Sequence, residues 1–296
     1  MLWTRISRRR CYWSRCTFCT QNSKYDDPRP PTKSEVAGAL DRIEAQITAG
    51  YRNIHFSDEA VSPALLRLFS QGVLERRLSF RWGCRCKLDP SQTPELFQLA
   101  RAAGCYEIIF GLESISPRVQ KLMDKYVEGL DRERIAAILR SVHDAGIALF
   151  INLIVGFPGD TPEEAEDSVA FLIATCGDFD NTTYVLNPFG LFPATPVMDD
   201  PAAFGVIPKE EPGDMVSAYR YELDPAIRAS TLAAAQRMPE FRQRLDAAFG
   251  WDQLQLGPAL DIVQALYFEM GHGAVLKALP ANPLGRFATR TEADVV

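Results

Sequence analysis

The sequence predicts an α/β fold, a partial (β/α)6 TIM-like barrel with a C-terminal helical extension. Short apolar segments alternate with amphipathic segments of helical periodicity, and one strand-plus-helix unit recurs about every 30 residues. About six such units fit before residue 190. This pattern indicates parallel strands joined by right-handed helical crossovers, a fold whose functional groups lie at the carboxyl ends of the strands.

Helix start and stop signals define the individual units. The helix predicted over 32–49 opens with Thr32 and Glu35 at capping-box spacing and ends before Gly50. Strands before Cys11 and over 52–56 flank it. Further helices are predicted where serine or threonine precedes proline, the favoured first helical residue, at Ser62, Thr93 and Thr161. The other predicted elements are strands over 78–83, 106–110, 148–155 and 182–186 and a helix over 131–145.

The composition favours an acidic protein with a sizeable core. Apolar residues make up 47% of the 296 residues, and a formal net charge of −6 argues against broad, non-specific binding to nucleic acid. No apolar run reaches the roughly 18 residues of a membrane span, and no apolar signal core follows the basic N-terminus. We therefore predict a cytoplasmic protein without a membrane partner.

Two regions are predicted along the chain. Residues 1–200 are expected to form the barrel, and residues 201–296 a mainly helical region that covers the substrate. The segment 187–212 is rich in proline and glycine, which is typical of a long functional loop. The later helices and the irregular tail are predicted over 227–241, over 260–270 and from 280 onward.

The distribution of the seven cysteines favours metal binding over disulfides. Cys11, Cys16 and Cys19 fall within nine residues, and clustered cysteines in a cytosolic protein more often bind metal or do redox chemistry. Three thiolates on one loop suit three corners of a [4Fe-4S] cubane and leave the fourth iron open. The alternatives are a zinc ion that recruits Cys84 or Cys86 as its fourth ligand, and a set of inert thiols.

The loop from Cys11 to Cys19, which ends in Cys-Thr-Phe-Cys, resembles the signature loop of the radical S-adenosylmethionine (SAM) superfamily. The usual gaps between the cysteines there are three and two residues, whereas the first gap here has four. The resemblance implies that the three cysteines hold a [4Fe-4S] cluster, that SAM binds the open iron, and that reductive cleavage of SAM yields a 5′-deoxyadenosyl radical. Phe18, between two of the ligands, is expected either to shield the cluster or to pack on the core.

Two acidic segments carry the same resemblance. The segment 55–59, at the end of the second strand, is similar to the motif that receives the SAM amino group, which implies contacts from Asp58 and Glu59. Glu113 and Ser114 belong to a Gly-x-Glu-Ser segment similar to the motif whose glutamate approaches the SAM ribose. Carboxylates suit an ammonium group and hydroxyls because charge-assisted hydrogen bonds are strong. The alternative is that these acids cap helices or face solvent.

The segment 152–161 resembles the fifth-strand motif that packs on the adenine of SAM. The resemblance implies contacts from Asn152, Ile154 and Gly156. Turn chemistry at the glycine and ordinary core packing at the isoleucine are the alternative interpretations.

The motif details are most similar to the cobalamin-dependent branch of the superfamily, although only ten residues precede Cys11. Cobalamin is therefore expected only if another domain or chain supplies it. Arg85 and Lys87, near the end of the third strand, are candidates for binding the SAM carboxylate or the substrate, with solvated charges as the alternative. No catalytic side chain is assigned.

These observations together predict an enzyme that cleaves SAM and modifies a substrate, with a peptide or natural product favoured. Its electron is expected from a donor such as flavodoxin or ferredoxin. Two alternatives stay open: a non-catalytic iron–sulfur or zinc scaffold that binds a partner, and a fragment of a cobalamin-dependent methyltransferase.

Overall fold

The computed structural model of the chain describes residues 2–7, 11–22, 31–209 and 218–249 and the single positions 266, 270, 271, 274 and 275. It confirms the predicted α/β fold, because six parallel strands pair in chain order in one sheet. The strands are β1 (Leu2–Thr4), β2 (Asn53–Phe56), β3 (Arg81–Lys87), β4 (Cys105–Glu113), β5 (Ala148–Val155) and β6 (Thr182–Pro188). The helices between them are α1 (Lys33–Thr48), α2 (Pro63–Glu75), α3 (Pro94–Ala102), α4 (Pro117–Leu122), α5 (Arg132–Asp144) and α6 (Pro162–Cys176).

The two faces of the sheet have different surroundings. Alternate strand residues such as Trp82 and Phe110 pack with the helices in one continuous hydrophobic core. The opposite face, here called the interior face, carries a small separate cluster of Ile109, Phe150 and Val185. Because all six strands run in one direction, the loops that follow their carboxyl ends meet at one edge of the sheet.

Polar caps start the helices where the sequence predicts them. The hydroxyls of Ser62, Thr93 and Thr161 each accept a hydrogen bond from the backbone N–H three residues on, and proline follows each of them. Thr32 and Glu35 form the complete capping box. Each cap gives a partner to an amide that the helix itself leaves unpaired, and such a cap is worth about 1 kcal/mol.

The third strand differs from its predicted limits of 78–83. It begins three residues later and continues to Lys87. The residues before it end α2 in a Schellman motif, in which Arg77 has a φ of 54° and the Leu78 N–H donates to the Val73 carbonyl oxygen at 3.1 Å. The apolar Leu78 that matched a strand pattern therefore closes the preceding helix instead.

After β6 the described residues add a hairpin and three α-helices: β7 (Val206–Pro208), β8 (Tyr221–Leu223), α7 (Pro196–Asp199), α8 (Pro225–Gln236) and α9 (Met238–Phe249). The single helix predicted over 227–241 is thus divided at Arg237, because Pro239 has no N–H to continue the hydrogen bonds of α8 and is tolerated only in the first turn of a new helix. Helix α9 packs on β6, where the Tyr184 hydroxyl donates to Asp246 at 2.8 Å.

Three predicted features fall outside the described residues. They are the tail from 280, the basic run at 8–10 and, apart from two positions, the helix over 260–270. None of the helices in the described ranges has the length and apolarity needed to cross a membrane.

Candidate functional site

The loop with the three cysteines follows β1 and is tied to the segment that ends α4. The Thr17 N–H donates to the Met123 carbonyl oxygen at 3.0 Å, and the Thr17 hydroxyl donates to that of Leu122 at 3.1 Å. The Trp13 indole N–H donates to the Asp124 carbonyl oxygen at 2.7 Å. These bonds hold the middle of the cysteine loop against the carboxyl end of the sheet.

All three cysteines are free thiols and partly buried. The Cys19 N–H donates to the Cys16 carbonyl oxygen at 3.1 Å, and the Gln21 N–H points to the Cys19 sulfur at 3.4 Å. Burial raises the pKa of Cys16 to about 11, against the opposing charge of Lys125, and burial likewise raises the pKa of Cys19. The thiols of Cys16 and Cys19 therefore hold their protons at neutral pH unless a metal displaces them, as metal coordination does.

The donor set fits a cubane cluster better than a zinc ion. Among the described residues, no three His, Cys, Asp or Glu side chains converge as ligands of one metal ion. Cys84 and Cys86, which a zinc site would recruit, lie in the core between the sheet and the helices. A cubane spreads its protein thiolates over separate irons, so three thiols on one loop suffice and one iron keeps an open position.

The acidic segment after β2 contributes two carboxylates with different surroundings. Asp58 is buried, and its two oxygens accept hydrogen bonds from the backbone N–H groups of Ile6 and Ser7, each at 2.7 Å. Burial raises the pKa of Asp58 to about 6 against the lowering effect of these bonds. Glu59 lies close enough to the cysteine loop for its charge to contribute to the raised pKa of Cys19. Asp58 therefore holds the chain that enters the loop, while Glu59 belongs to its electrostatic surroundings.

The Gly-x-Glu-Ser segment lies at the end of β4, which is three residues longer than its predicted limit of Phe110. Glu113 has a φ of 62°, where the register between β4 and β5 shifts. Its carboxylate pairs with the Lys125 ammonium at 2.8 Å, and both side chains are buried. A β-carbon at Gly111 would collide with both of these groups. Gly111 therefore leaves space for the ion pair in its present position, and a larger residue would displace the tips of both side chains.

Lys125 is the main member of this site that the sequence analysis missed. Burial disfavours its charge, but Glu113 and Cys16 outweigh burial and raise the pKa of Lys125 above its usual value. The lysine also affects the pKa of Cys19 and lies 5.9 Å from the ring centroid of Phe18. No local motif marks it, because only the folded chain brings the segment after α4 to the cysteine loop.

Ser114 is buried beside α6 and takes part in the local structure. Its hydroxyl accepts a hydrogen bond from the Ser116 N–H at 3.1 Å and shares one with the Ser168 hydroxyl at 3.2 Å. The Gln120 amide donates to its carbonyl oxygen at 2.7 Å. These bonds orient the chain that leaves β4, so Ser114 helps to place Glu113.

The turn after β5 is held from outside by α8. Gly156 has a φ of 74°, and a β-carbon there would approach that of Ala235 to 2.9 Å. The Gly159 N–H donates to the buried Thr231 hydroxyl at 3.0 Å. Inside the turn, Asp160 accepts from the Gly156 N–H at 3.1 Å, and burial raises the pKa of this carboxyl to about 6. The backbone at Gly156 thus approaches helix α8 closely. The contact of Gly156 with adenine stays a prediction.

Three predicted residues line the space between this turn and the cysteine loop. Phe18 makes an edge contact with Phe157 at a centroid distance of 6.4 Å, and Ile154 packs in the same apolar cluster. Asn152 is partly buried on the interior face, next to Gly111 in the sheet register. The fold therefore places the predicted adenine side of the site beside the cysteine loop.

Two cations of β3 lie on the interior face of the sheet, and only Lys87 contacts the cysteine loop. The Lys87 ammonium lies 4.0 Å from the ring centroid of Trp13, and the Arg85 guanidinium lies 5.9 Å from that of Trp3. Burial, and next the charge of Lys125, lower the pKa of Lys87 to about 8.

Comparison with known proteins shows relatives of one kind. The bacteriochlorophyllide d C-12(1)-methyltransferase of Chlorobaculum tepidum is 27% identical over 190 residues, which cover 62% of this chain and 40% of that protein. The hopanoid C-2 methylase of Rhodopseudomonas palustris is 28% identical over 195 residues, which cover 62% of this chain and 35% of that protein. The chain therefore spans well under half the length of either relative.

Solved structures share the fold at low sequence identity. The radical SAM methyltransferase TsrM from Kitasatospora setae, with tryptophan substrate and a SAM analogue bound, matches with a TM-score of 0.57 and 20% identity over 95% of this chain and 52% of that chain. The cobalamin-dependent SAM radical enzyme OxsB, with aqua-cobalamin and SAM bound, matches with a TM-score of 0.60 and 18% identity over 91% of this chain and 46% of that chain.

The family model that matches this sequence describes the radical SAM superfamily and covers residues 8–172, more than half of the chain. This range contains the cysteine loop and the acidic segments after β2 and β4. The predicted resemblance is confirmed: the chain belongs to the radical SAM superfamily, whose members use a [4Fe-4S] cluster and SAM.

Proposed function

We propose that this chain reductively cleaves SAM at a [4Fe-4S] cluster and directs the resulting radical to a peptide or natural product. Cys11, Cys16 and Cys19 are the proposed ligands of the cluster. When bound, the cluster supplies the electron that breaks a carbon–sulfur bond of SAM and yields the 5′-deoxyadenosyl radical.

The observation that carries the proposal is the convergence of three strand ends on one loop. The cysteines follow β1, Glu59 follows β2, and Glu113 ends β4. Both carboxylates act on the pKa values of cysteines in the loop, Glu59 on Cys19 and Glu113 on Cys16. A zwitterionic, hydroxylated ligand such as SAM offers partners to acids at this place.

Each acid has a distinct proposed task. Glu59 accepts hydrogen bonds from the SAM ammonium, and Glu113 accepts them from the ribose hydroxyls. Lys125 orients the Glu113 carboxylate through their 2.8 Å ion pair. Asp58 is a positioning residue, since both of its oxygens already hold backbone N–H groups of the segment that enters the loop. Phe18, Ile154 and the turn at Gly156 form the proposed adenine side.

The proposal is tested by anaerobic reconstitution with iron and sulfide, reduction, addition of SAM and chromatographic assay of 5′-deoxyadenosine. Cys16→Ala is expected to abolish the product, because the cluster loses a ligand. Cys176→Ala is the matched control, since Cys176 is buried in α6 away from the loop. The control is expected to keep the cluster and the product.

The outcomes separate the enzyme from the scaffold alternative. Product from wild type and Cys176→Ala but not from Cys16→Ala supports the proposal. An intact cluster that neither binds SAM nor forms product in wild type would contradict it and favour a non-catalytic iron–sulfur scaffold.

Methyl transfer is the second candidate reaction. Both relatives described above carry methylase names, and the matching solved structures include a radical SAM methyltransferase. In this reading the chain acts as part of a cobalamin-dependent methyltransferase, with cobalamin from another domain or chain. S-adenosylhomocysteine that forms only when cobalamin is added would favour it over cleavage to 5′-deoxyadenosine alone.

The proposal also requires an electron donor of low potential, such as flavodoxin or ferredoxin. We place the reaction in the cytoplasm, where free thiols persist. Replacing a chemical reductant by reduced flavodoxin in the same assay tests the donor, and equal product from both is the expected result.

A further inference from the structure

The interior face of β3 carries two cations that the proposed SAM contacts do not use. Arg85 and Lys87 alternate with Cys84 and Cys86, and these cysteines lie in the core on the helix side. The two cations therefore face the barrel interior. Lys87 is the nearer to the strand end, and Arg85 lies one interior position deeper, about 7 Å further along the strand.

Among the described residues, neither cation has a carboxylate within ion-pair distance, although the charge of Asp89 acts on the pKa of Lys87 against the effect of burial. The Lys87 ammonium contacts the Leu88 carbonyl oxygen at 3.4 Å and the ring of Trp13, and the Arg85 guanidinium contacts the ring of Trp3. Lys87 is only 6% exposed. A cation shielded from water without an adjacent carboxylate is costly, so the buried Lys87 and, to a lesser degree, the partly buried Arg85 favour an anion that completes the site.

Lys125 is a cation of the same site that already has a partner in the protein. Its ammonium lies 2.8 Å from a carboxylate oxygen of Glu113. The contrast indicates that the unpaired state of Arg85 and Lys87 is specific to β3 and is not a general property of the barrel interior.

An apolar cluster lies beside these cations in the sheet register. Arg85 pairs with Ile109, which pairs with Phe150 on the next strand. Val185 of β6 completes this cluster. The interior face thus presents positive charge on β3 and an apolar patch on β4–β6. The buried His55 and Glu107, 3.6 Å apart, lie on the same face beside Gly83, one interior position before Arg85.

We propose that this face binds the substrate as an amphiphilic organic anion, with Arg85 holding its acidic group and the cluster of Ile109, Phe150 and Val185 contacting its apolar body. The inference rests on the proposed function and names the class of its substrate. A SAM carboxylate is the other source of the same anionic group. Lys87 is close to the loop, whereas Arg85 is deeper in the barrel, so the structure assigns Arg85 to the substrate.

The test compares an anionic probe with a neutral probe of similar shape. Binding of 1-anilinonaphthalene-8-sulfonate and of N-phenyl-1-naphthylamine to the full chain is measured by equilibrium dialysis, with the cluster-free and the reconstituted protein. Arg85→Met is expected to raise the Kd of the sulfonate at least about 10-fold, the loss of one charge-assisted contact. The Kd of the neutral probe is expected to change less than about twofold.

Two variants control for general effects of charge and folding. Arg81→Met removes an exposed arginine from the start of the same strand and is expected to leave both affinities unchanged. Arg85→Lys keeps the charge and is expected to restore part of the sulfonate affinity. If Arg85→Met binds the sulfonate as wild type does, or if both probes respond alike, the inference is wrong.

Addition of SAM distinguishes the two sources of the anion. Saturating SAM is expected to leave Arg85-dependent binding of the sulfonate in place. Complete displacement by SAM would assign the anion to SAM and overturn the substrate inference. Arg85-dependent binding in a protein that forms no 5′-deoxyadenosine would leave the anion site standing and reject the proposed function alone.

Discussion

Lys87 and Lys125 both lie beside the cysteine loop with little exposure to solvent, yet their environments shift their pKa values in opposite directions. The pKa of Lys125 is raised because Glu113 and Cys16 outweigh its burial. The pKa of Lys87 is lowered to about 8, chiefly by burial and then by the charge of Lys125 itself. The comparison teaches that at this site the partner, and not the depth of burial, decides whether a cation is stable.

The partners differ because the two lysines come from different elements. Lys125 follows α4, and its side chain passes Gly111 of β4 to pair with the Glu113 carboxylate at the end of that strand. Lys87 ends β3 and meets the face of Trp13, an aromatic ring that offers about 1 to 2 kcal/mol to a desolvated cation. An aromatic ring does not neutralise the ammonium as a carboxylate does. A bound anion can therefore still pair with Lys87.

The largest expected effect comes from breaking the buried pair. Lys125→Met leaves the Glu113 carboxylate buried without its cation and is expected to lower the free energy of unfolding by about 3 to 5 kcal/mol. Urea denaturation of the cluster-free protein measures it. Lys121→Met, four residues earlier at an exposed position, is the control and is expected to be nearly neutral.

A double variant sharpens this result. Lys125→Met combined with Glu113→Leu removes both charges and is expected to recover much of the lost stability, because no unpaired ion is left. A single Lys125→Met variant as stable as wild type would show that water or another group already compensates Glu113.

The second prediction has the opposite sign. Lys87→Met is expected to raise the free energy of unfolding of the cluster-free protein by on the order of 2 kcal/mol at pH 7, because it removes an unpaired buried cation. The same variant is expected to lose affinity for an anionic ligand. Such a gain of stability with a loss of binding is typical of a residue kept for function.

The pH dependence of this gain follows from the lowered pKa of Lys87, about 8 against a usual 10.5. Between these values the unfolded chain binds a proton that the folded protein does not, so the stability of wild type rises with pH across this window. The advantage of Lys87→Met is therefore full below pH 8 and lost near pH 10.5. Denaturation series of both proteins at several pH values measure the difference, and an advantage independent of pH would assign it to packing.

The smallest expected effect concerns an exposed ion pair between the cysteine loop and the segment after α4. Arg15 binds Asp124 through two hydrogen bonds at 2.8 and 3.1 Å, but the side chains are 61% and 40% exposed. Arg15→Gln is expected to change the free energy of unfolding by less than about 0.5 kcal/mol, because water screens such pairs. A loss above about 1 kcal/mol would show that this pair helps to hold the cysteine loop.

Much of the fold is predictable because its signals are local. The helix starts at Ser62, Thr93 and Thr161 depend on hydroxyls that bond amides three residues away. The limits of β3 were wrong because a Schellman motif uses Leu78 to close α2. Nothing in the strand pattern distinguishes that task from the start of a strand.

The site was predictable only in part. The cysteines, Glu59 and Glu113 belong to short motifs, and the fold brings them together. Thr231 of α8 bonds the turn after β5 from 72 positions away, and Trp13 bonds the segment after α4 from 111 positions away. Such partners carry no sequence signal, because the chain between them does not constrain their distance.

The sequence by itself determined the spacing of the three cysteines and the alternation of strands and helices, since spacing, caps and periodicity act over a few residues. Only the tertiary structure decided which charges are paired. The free energy of a charge depends on burial and on neighbours within a few ångströms, and these neighbours are set by which strand ends meet. For that reason Lys125 forms an ion pair with Glu113, while Arg85 and Lys87 face the barrel interior with no carboxylate at ion-pair distance among the described residues.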